Sequence, residues 1–564
     1  MSRDTRVLGI EGTAWAASAA VYDAATDDVF IETNAYQPES GGIHPREAAE
    51  HMGEHVPEVV ETALAHARDL AAEDPTHEAG DPPVDAVAFS RGPGLGPCLR
   101  IVGTAARAVA QRLDVPLVGV NHMVAHLEIG RHQSGFESPV CLNASGANAH
   151  VLGYRNGRYR VLGETMDTGV GNAIDKFTRH LGWSHPGGPK VEQAAQDGEY
   201  VDLPYVVKGM DFSFSGIMSA AKQAVDGAPA SEASGGSSDG TFDGGEAVED
   251  VCFGLQENVF AMLTEVAERA LSLTGSDELV LGGGVGQNER LREMLGEMCA
   301  QRGADFFAPE NRFLRDNAGM IAVLGATMYE AGDTLAIEES RIDSNFRPDE
   351  VPVSWRGREP VSRPTTDETE VTGAEATVTI ETDRVVKRRV PRSYRHPQLD
   401  ERLRLERTRE EARLTSDARR HGVPTPVIYD VDPAEATLVF ERVGEVDLRA
   451  ALTESRVRDV GRHLATIHEA GFVHGDPTTR NVRVAGVEED TGDTRTYLID
   501  FGLGYYTDDV EDYAMDVHVL AQSLAGTADD PERLLSAAED AYASVGDEAV
   551  VDHLREIEGR GRYQ

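Results

Sequence analysis

Two histidines in the segment NHMVAH have the spacing of metal ligands. His122 and His126 are four residues apart, so on a helix their imidazoles lie on one face, about one turn from each other. This arrangement suits a single metal ion, although a structural pair of histidines stays open from the spacing alone. A zinc-protease site is excluded, because its H-E-x-x-H motif needs a glutamate where Met123 stands.

Glycine-rich turns follow predicted strands at three places, namely Gly12, Ser145–Asn148 and Gly282–Gly286. Such turns let backbone N–H groups approach phosphate oxygens, and the N-terminus of a following helix adds positive potential. One such turn is common in any fold. Three of them in one region predict a site for a nucleotide or an acyl phosphate.

Lysine is rare in this chain, with five lysines against 48 arginines. Lys176 lies in DTGVGNAIDKF, Lys190 in PGGPKVE and Lys208 in VVKGM. Because lysine is a compact point charge and arginine is not, their retention indicates roles that arginine does not fill. Lys222 is also retained, without a recognisable motif.

The later part of the chain carries the spacing of a phosphoryl-transfer site. Lys387 lies in a predicted strand and Glu411 in the helix that follows, while Asp476 and Asn481 stand in HGDPTTRN and Asp500 stands in LIDFG. In the layout of protein kinases, the lysine holds nucleotide phosphates and pairs with the glutamate. The first aspartate is then the catalytic base or water positioner, and the asparagine and second aspartate hold Mg²⁺.

This kinase-like pattern departs from that of protein kinases at three points. GAEA at 373–376 replaces the G-x-G-x-x-G loop, Gly475 replaces the arginine of H-R-D, and no A-P-E segment follows the second aspartate. Because the platform for a peptide substrate is missing, ATP hydrolysis and phosphorylation of another protein both stay open.

Strand-like and helical segments alternate through the first part of the chain, which predicts an α/β architecture. Two hairpins closed by small residues predict a duplicated core. We expect one domain over 1–346 with a flexible Gly/Ser/Asp-rich insertion at 226–247, a Pro- and Thr-rich linker over 347–372, and a second domain over 373–564.

The composition restricts the class of protein and its cellular compartment. The chain has 564 residues and a formal charge of −44, and this excess of carboxylate predicts a protein from an extreme halophile. Its four cysteines form no C-x-x-C pair, which excludes a disulfide scaffold and fits a reducing compartment. With no apolar leader and no membrane-spanning segment, we expect a cytoplasmic protein that does not bind a membrane.

The negative charge disfavours RNA as a ligand, but one segment is basic. Residues 384–413 hold eleven basic and five acidic residues. Arg388, Arg389 and Arg392 have no acidic neighbour in sequence, and Arg560 and Arg562 lie near the C-terminus. These five arginines are the predicted RNA-binding patch.

Ten segments together resemble one known family. In order across residues 8–324, they are GIEGT, GGIHPREAAEH, RGPGLGPCLR, GVNHMVAH, SGAN, GETMDTGVGNAIDKF, PGGP, VKGMDFSFSG, GGGVGQNERL and RDNAGMIA. They are similar to the universal tRNA threonylcarbamoyladenosine transferases, which have the actin-like, sugar-kinase-like ATPase fold. The resemblance implies transfer of threonylcarbamoyl from its AMP-activated form to N6 of the adenosine 3′ of the anticodon, in tRNAs reading codons that start with A.

The same resemblance implies site residues. His122, His126 and Asp316 would hold an iron or zinc ion, and Asn143 stands where many members place a further tyrosine ligand. The implied substrate contacts are Asn143, Ala144, Ser145, Gly146, Ala147, Asp175, Gly188, Glu192 and Asn288.

Residues 373–564 resemble the small atypical kinase of the KEOPS tRNA-modification complex, which in archaea is often fused to the transferase. This implies ATP and Mg²⁺ as cofactors and small KEOPS accessory subunits as partners. We therefore expect a duplicated actin-like α/β fold followed by a small bilobal α+β kinase-like domain. The open alternatives are a metabolite kinase on the same fold and a nucleotide-dependent regulatory scaffold.

Overall fold

The computed structural model describes nine ranges of the chain. These are residues 5–36, 44–75, 77–78, 80–155, 157–227, 245–357, 370–373, 375–486 and 495–560. Most of the predicted insertion (228–244), part of the predicted linker (358–369) and Arg562 lie outside them. Below, residues 5–357 are called the first unit and residues 370–560 the second unit.

The first unit begins with a five-stranded sheet of order β3-β2-β1-β4-β5. Its strands are β1 (Arg6–Glu11), β2 (Ala16–Asp23), β3 (Asp28–Ala35), β4 (Ala86–Gly92) and β5 (Leu117–Asn121). The helices of this half are α1 (Pro45–Glu73), α2 (Gly96–Leu113) and α3 (His122–Ser134). The first two strands are antiparallel neighbours, and β1 is parallel to β4.

A second sheet repeats this topology with the order β12-β11-β6-β7-β8. Its strands are β6 (Val140–Ala144), β7 (Ala149–Arg155), β8 (Arg158–Glu164), β11 (Glu278–Gly282) and β12 (Asp305–Phe307), while β9 (Val207–Lys208) and β10 (Asp211–Phe212) form a separate hairpin. As in the first sheet, an antiparallel hairpin precedes two parallel strands. The duplicated α/β core expected from the sequence is confirmed.

The other helices described in the first unit follow β8. They are α4 (Val170–His180), α5 (Gly188–Ala195), α6 (Ser215–Asp226), α7 (Val248–Thr274), α8 (Glu289–Arg302), α9 (Asn311–Leu314) and α10 (Ala318–Glu330). Of these, α10 packs on the first sheet. Helix α7 is buried along most of its length and reaches from the core of the first unit to the second unit. Its buried Glu265 pairs with Arg269 and its buried Glu268 pairs with Arg392, because a buried charge needs a partner of opposite charge.

The start of the predicted linker packs on the first unit. Val351 is buried in its core, and Arg356 places its guanidinium 3.9 Å from the ring centre of Tyr154. The same arginine pairs with the buried Glu128 at 2.9 Å. Residues 347–357 are thus held by apolar and ionic contacts, although their composition resembles that of a linker.

The second unit is bilobal. An antiparallel sheet of order β13-β14-β15-β17-β16 is followed by a mainly helical lobe with its own apolar core. The strands are β13 (Glu370–Thr372), β14 (Ala376–Ile380), β15 (Arg384–Arg389), β16 (Ile428–Asp432), β17 (Thr437–Glu441), β18 (Val446–Asp447), β19 (Phe472–Val473), β20 (Val482–Ala485), β21 (Arg495–Leu498) and β22 (Tyr505–Tyr506). The helices are α11 (Pro397–Arg420), α12 (Glu454–Glu469), α13 (Val510–Thr527), α14 (Pro531–Ala543) and α15 (Glu548–Arg560). This is the α+β kinase-like domain expected from the sequence.

Within the described ranges, no helix has both the length and the apolar character needed to cross a bilayer.

Candidate metal centre and kinase-like site

The two predicted metal-binding histidines lie on the first turns of helix α3. Strand β5 ends at Asn121, whose Oδ1 accepts hydrogen bonds from the N–H groups of Met123 and Val124 at 3.0 and 3.1 Å. This N-cap starts the helix directly at His122. His126 follows one turn later, with ring centres 5.0 Å apart.

Asp316, from the loop before α10, completes the triad. Its Oδ1 lies 3.3 Å from His122 Nε2 and 3.4 Å from His126 Nε2. The three ligand atoms are all within 4.8 Å of one another. Two imidazoles and one carboxylate at this spacing suit iron or zinc and leave positions for a substrate oxygen.

Glu11 supports this centre from behind, although the sequence analysis assigned it no role. Its Oε2 lies 3.2 Å from His122 Nδ1, and Oε1 accepts the N–H of Thr13 at 2.8 Å. The hydroxyl of Ser90 also donates to Glu11. A carboxylate on the far nitrogen of a histidine is the usual support of a metal-ligating imidazole, so these residues fit the implied metal.

The electrostatics of the centre favour positive charge. Burial lowers the pKa of His122, but Glu11 and Asp316 outweigh burial and raise it to about 10. Burial raises the pKa of Asp316, yet the two histidines bring it below its usual range. Two ionised carboxylates beside two imidazoles thus form a buried pocket suited to a cation.

A cleft of about 830 Å³ opens beside the triad. It is lined by eight of the nine predicted substrate contacts, which are Asn143, Ser145, Gly146, Ala147, Asp175, Gly188, Glu192 and Asn288. The ninth, Ala144, is fully buried at the end of β6. The cleft is large enough for a nucleotide-sized ligand.

Glycines shape the cleft wall where two glycine turns approach each other. Gly283 has φ +83°, and a Cβ there would lie 2.2 Å from the carbonyl oxygen of Ala144. Opposite, the N–H of Asn172 donates to the carbonyl of Gly146 at 2.8 Å. Only glycine at 283 fits against the end of β6, and the approach of these turns to a ligand stays a prediction.

Three of the predicted substrate contacts also hold the cleft together. Asp175 pairs with His185 at 2.9 Å and accepts the N–H of Gly187 at 2.7 Å. Glu192 accepts the N–H of Glu289 at 3.0 Å. Asn288 caps helix α8 through the N–H of Leu291 at 3.2 Å.

His150 is a further cleft residue that the sequence analysis missed. Its Nε2 lies 3.3 Å from Asn143 Nδ2. His150 Nδ1 and Asn143 Oδ1 are both buried and have no hydrogen-bond partner among the described residues. Burial, together with His126 and His122, lowers the pKa of His150 to about 3, so its imidazole is neutral. Asn143 as a fourth metal ligand stays a prediction.

The kinase-like residues also come together. Lys387 Nζ lies 2.9 and 3.0 Å from the two carboxylate oxygens of Glu411 and 2.7 Å from Oδ1 of Asp500. Asn481 Nδ2 donates to Asp476 Oδ2 at 2.9 Å. Their role in phosphoryl transfer stays a prediction.

The loop that carries Asp476 is fixed by Asp516 of α13. The carboxylate of Asp516 accepts the N–H groups of His474 and Gly475 at 2.7 and 2.8 Å, and it lies 3.0 Å from His468 Nε2. Gly475 has φ +82°, and a Cβ there would lie 2.2 Å from the carbonyl oxygen of Leu503. This explains the glycine where protein kinases have arginine.

The predicted RNA-binding patch is wrong for two of its arginines. Arg389 and Arg392 are 2% and 6% exposed. Arg389 pairs with Glu411 at 2.7 Å, and Arg392 pairs with Glu268 of the first unit at 3.1 Å. Glu411 is 22 residues from Arg389 and Glu268 lies in the first unit, so the charges next to each arginine in sequence do not reveal these pairs.

The other three arginines of the predicted patch differ in what the structure shows of them. Arg388 is exposed and lies 3.6 Å from Glu435. The side chain of Arg560 and all of Arg562 lie outside the described residues.

Comparisons with known proteins show what the whole chain is similar to. The model of the TsaD family, tRNA N6-adenosine threonylcarbamoyltransferase, matches residues 26–323. A protein of Haloarcula marismortui called "Probable bifunctional tRNA threonylcarbamoyladenosine biosynthesis protein" is 72% identical over 569 residues, covering 99% of this chain and 100% of the relative. Proteins of the same description from Halobacterium salinarum and Methanospirillum hungatei are 67% and 48% identical, each covering 99% of both chains.

Among solved structures, full-length HypF in its phosphate- and nucleotide-bound form aligns with a TM-score of 0.41 and 13% identity, over 59% of this chain and 57% of that one. The family match spans more than half of this chain, and the relatives match it from end to end. The chain belongs to the tRNA N6-adenosine threonylcarbamoyltransferase family, in a form with a second, kinase-like unit.

Proposed function

We propose that the chain transfers a threonylcarbamoyl group from threonylcarbamoyl-AMP to N6 of the adenosine 3′ of the anticodon, in tRNAs reading codons that start with A. The observation that carries this proposal is the convergence of His122, His126 and Asp316 beside the cleft. Our proposed domains are the transferase over 1–346, the linker over 347–372 and the kinase-like domain over 373–564.

In this reaction the N6 amine forms a bond to the carbamoyl carbon and releases one proton to solvent, and AMP leaves with the electrons of the broken C–O bond. An iron or zinc ion held by the triad would polarise an oxygen of the activated group. The chain itself contributes the backbone N–H groups of Gly146 and Ala147, which line the cleft and stabilise negative charge on the reacting oxygens. Glu11 holds the imidazole of His122 in orientation.

The test uses the full chain with tRNA, threonylcarbamoyl-AMP and the small KEOPS accessory subunits that we propose as partners. After digestion of the tRNA, the modified nucleoside is measured. His122→Ala should abolish the product and reduce bound iron or zinc, whereas the exposed His421→Ala should change neither. Phosphorylation of a sugar in place of this product would support the metabolite kinase, and no chemistry at all would support the regulatory scaffold.

For the second unit, we propose turnover of ATP with Mg²⁺, either as an ATPase that serves the transferase or as a serine/threonine protein kinase. Lys387 would hold phosphates, Asp476 would be the base or position water, and Asn481 and Asp500 would hold Mg²⁺. The support is the cluster in which Lys387 contacts both Glu411 and Asp500.

Neighbouring residues of β15 provide the matched test for ATP turnover. With labelled ATP, Lys387→Met should reduce turnover by at least about 100-fold, while the exposed neighbour Arg388→Met should retain it. Free phosphate as the labelled product indicates an ATPase, and labelled serine or threonine indicates a protein kinase. Equal activity in both variants would contradict the proposed site.

A further inference from the structure

The turn that stands in place of the glycine-rich loop of protein kinases carries an acidic residue, Glu375. It lies between β13 and β14, and the next residue, Ala376, pairs with Arg389 of β15. The N–H of Gly373 donates to the carbonyl of Ala376 at 2.8 Å. In protein kinases, the loop at this point covers the phosphates of ATP. The turn therefore puts a carboxylate at the phosphate end of the proposed nucleotide site.

Three arginines surround the carboxylate of Glu375. Its Oε1 lies 2.6 Å from Nη2 of Arg269 and also pairs with Nη1 of Arg407, while its Oε2 lies 3.9 Å from Nε of Arg389. The side chains of the three arginines are all 10% exposed or less. Arg269 belongs to helix α7 of the first unit, so both units contribute to this group of cations.

Two of these arginines also contact the kinase-like residues. Nη1 of Arg269 lies 3.9 Å from Oδ2 of Asp476, the proposed base. Nη2 of Arg389 lies 2.7 Å from Oε2 of Glu411, the partner of the proposed phosphate-binding lysine. Glu375 is thus one guanidinium away from each of these two acidic residues. An anion at its position would lie beside the proposed site of phosphoryl transfer.

A carboxylate held in this way resembles a bound phosphoryl group in its chemistry. Both are anions whose oxygens accept charge-assisted hydrogen bonds from the guanidinium fork. Because buried guanidiniums need an anion beside them, Glu375 can leave its position only if another anion takes its place. A phosphate meets this requirement, and salt screens such buried contacts much less than exposed ones.

Glu375 is the member of this group that can move. The arginines start from strand β15 and from helices α7 and α11, whereas Glu375 lies in a turn next to β13, the edge strand of its sheet. Turns open locally at a lower free energy than the strands and helices of a core. Displacement of Glu375 would therefore leave the three arginines in place.

We propose that the terminal phosphate of ATP displaces the carboxylate of Glu375 and is then held by Arg269 and Arg407. This inference rests on the proposed ATP turnover by the second unit, and it makes helix α7 of the first unit part of the nucleotide site. ADP lacks the terminal phosphate, so it binds with Glu375 in place. Glu375 therefore competes with ATP and not with ADP.

The test measures binding of a non-hydrolysable MgATP analogue and of MgADP to the full chain by calorimetry in about 2 M KCl. Glu375→Gln removes the competing charge and should lower Kd for the analogue about tenfold, as when a site that is closed about nine-tenths of the time becomes open. Arg407→Gln removes one proposed ligand and should raise Kd for the analogue about tenfold. Kd for ADP should stay unchanged in both variants. Glu381→Gln, a half-exposed carboxylate at the other end of β14, is the control and should change neither Kd.

Opposite shifts in the two variants separate competition from damage to the fold, because a damaged fold would weaken both nucleotides in both variants. Glu375→Asp keeps the charge that the fold needs and withdraws the carboxylate by one methylene. If Glu375→Gln does not fold, this second variant should still favour the analogue over ADP. An unchanged ratio of the two Kd values in the Glu375 variant would overturn the inference, and so would an equal shift in the Glu381 control.

Inorganic phosphate offers the same oxygens as the terminal phosphate of ATP, and competition with phosphate alone identifies the source. Displacement of the analogue by phosphate at equal concentration would overturn the assignment to ATP. Because binding is measured without turnover, the inference and the proposed function can fail separately. If the wild-type chain released no phosphate and labelled no protein, but Glu375→Gln bound the analogue about tenfold more tightly, the proposed turnover would be wrong and this inference would stand.

Discussion

Arg269, on helix α7 of the first unit, lies with its Nη1 3.9 Å from Oδ2 of Asp476, the proposed base of the second unit. The same guanidinium pairs with Glu265 at 2.7 Å and with Glu375 of the second unit at 2.6 Å. Burial lowers the pKa of Arg269, but these carboxylates outweigh it and keep the group charged. Helix α7 of the first unit and the loop that carries Asp476 therefore share one buried ionic network.

Replacing Arg269 by methionine should destabilise the chain by about 3 kcal/mol, because it leaves buried carboxylates without one of their partners. Thermal unfolding at fixed KCl measures the loss. Arg413→Met is the control, since Arg413 forms an exposed pair with Glu410 and should cost less than about 1 kcal/mol. Equal losses in the two variants would contradict the importance of the buried network.

Site residues were predictable from sequence where their contact partners are close in the chain or where a family motif contains them. His122 and His126 were found because their spacing is local, and Asp316 because a family motif contains it. Glu11 supports His122 from a strand 111 residues away, and no local pattern predicts that contact. Its one available signal was a carboxylate at the end of an apolar strand, VLGIE.

The same reason explains the error in the predicted RNA-binding patch. Arg392 has no acidic neighbour in sequence, yet Glu268 reaches it from helix α7. The duplicated fold, in contrast, followed from hairpins and strand–helix alternation, which are local features. Contacts between the two units join residues that are far apart in sequence, so they could be identified only in the structure.

Adding a single methyl group at Gly283 should lower the stability of the folded chain. With φ +83° and a Cβ 2.2 Å from the carbonyl oxygen of Ala144, Gly283→Ala should displace the cleft wall and cost about 1–3 kcal/mol. Gly216→Ala is the control, because Gly216 lies in helix α6 and an added Cβ would meet nothing within 4 Å. That change should be neutral or stabilising. Thermal unfolding and the nucleoside assay together test the pair, and normal stability and activity of Gly283→Ala would contradict the strain.

The charge of −44 should make stability depend on salt. Because exposed carboxylates repel one another until salt screens them, Tm should rise with KCl between about 0.5 and 3 M. Glu54→Gln, Glu61→Gln and Asp69→Asn remove three exposed carboxylates from α1, and the combined variant should show a smaller rise. A Tm independent of KCl would contradict the halophilic interpretation.

Asp211 should make stability depend on pH where the two units meet. Its Oδ1 accepts the N–H of Glu164 at 2.8 Å and lies 3.5 Å from Gln522 Nε2, while its Oδ2 lies 4.0 Å from His518 Nε2 of α13. Burial, with the neighbouring Glu164 carboxylate, raises the pKa of Asp211 to about 7. Burial and the charge of Arg347 lower the pKa of His518 to about 4, so this histidine is neutral and does not compensate.

Folding raises the pKa of this aspartate, so it adds stability at a pH low enough for its carboxyl to be protonated in both the folded and the unfolded chain. Its contribution is present in full below the unfolded pKa of about 4 and is lost as pH rises to about 7. Asp211→Asn keeps an acceptor for the N–H of Glu164 without a charge, so its Tm should fall less than that of the wild-type chain over this interval. Asp69→Asn, on the exposed face of α1, should follow the wild-type profile. Parallel profiles for the wild-type chain and Asp211→Asn would show that the ionisation of Asp211 does not limit the stability of this contact.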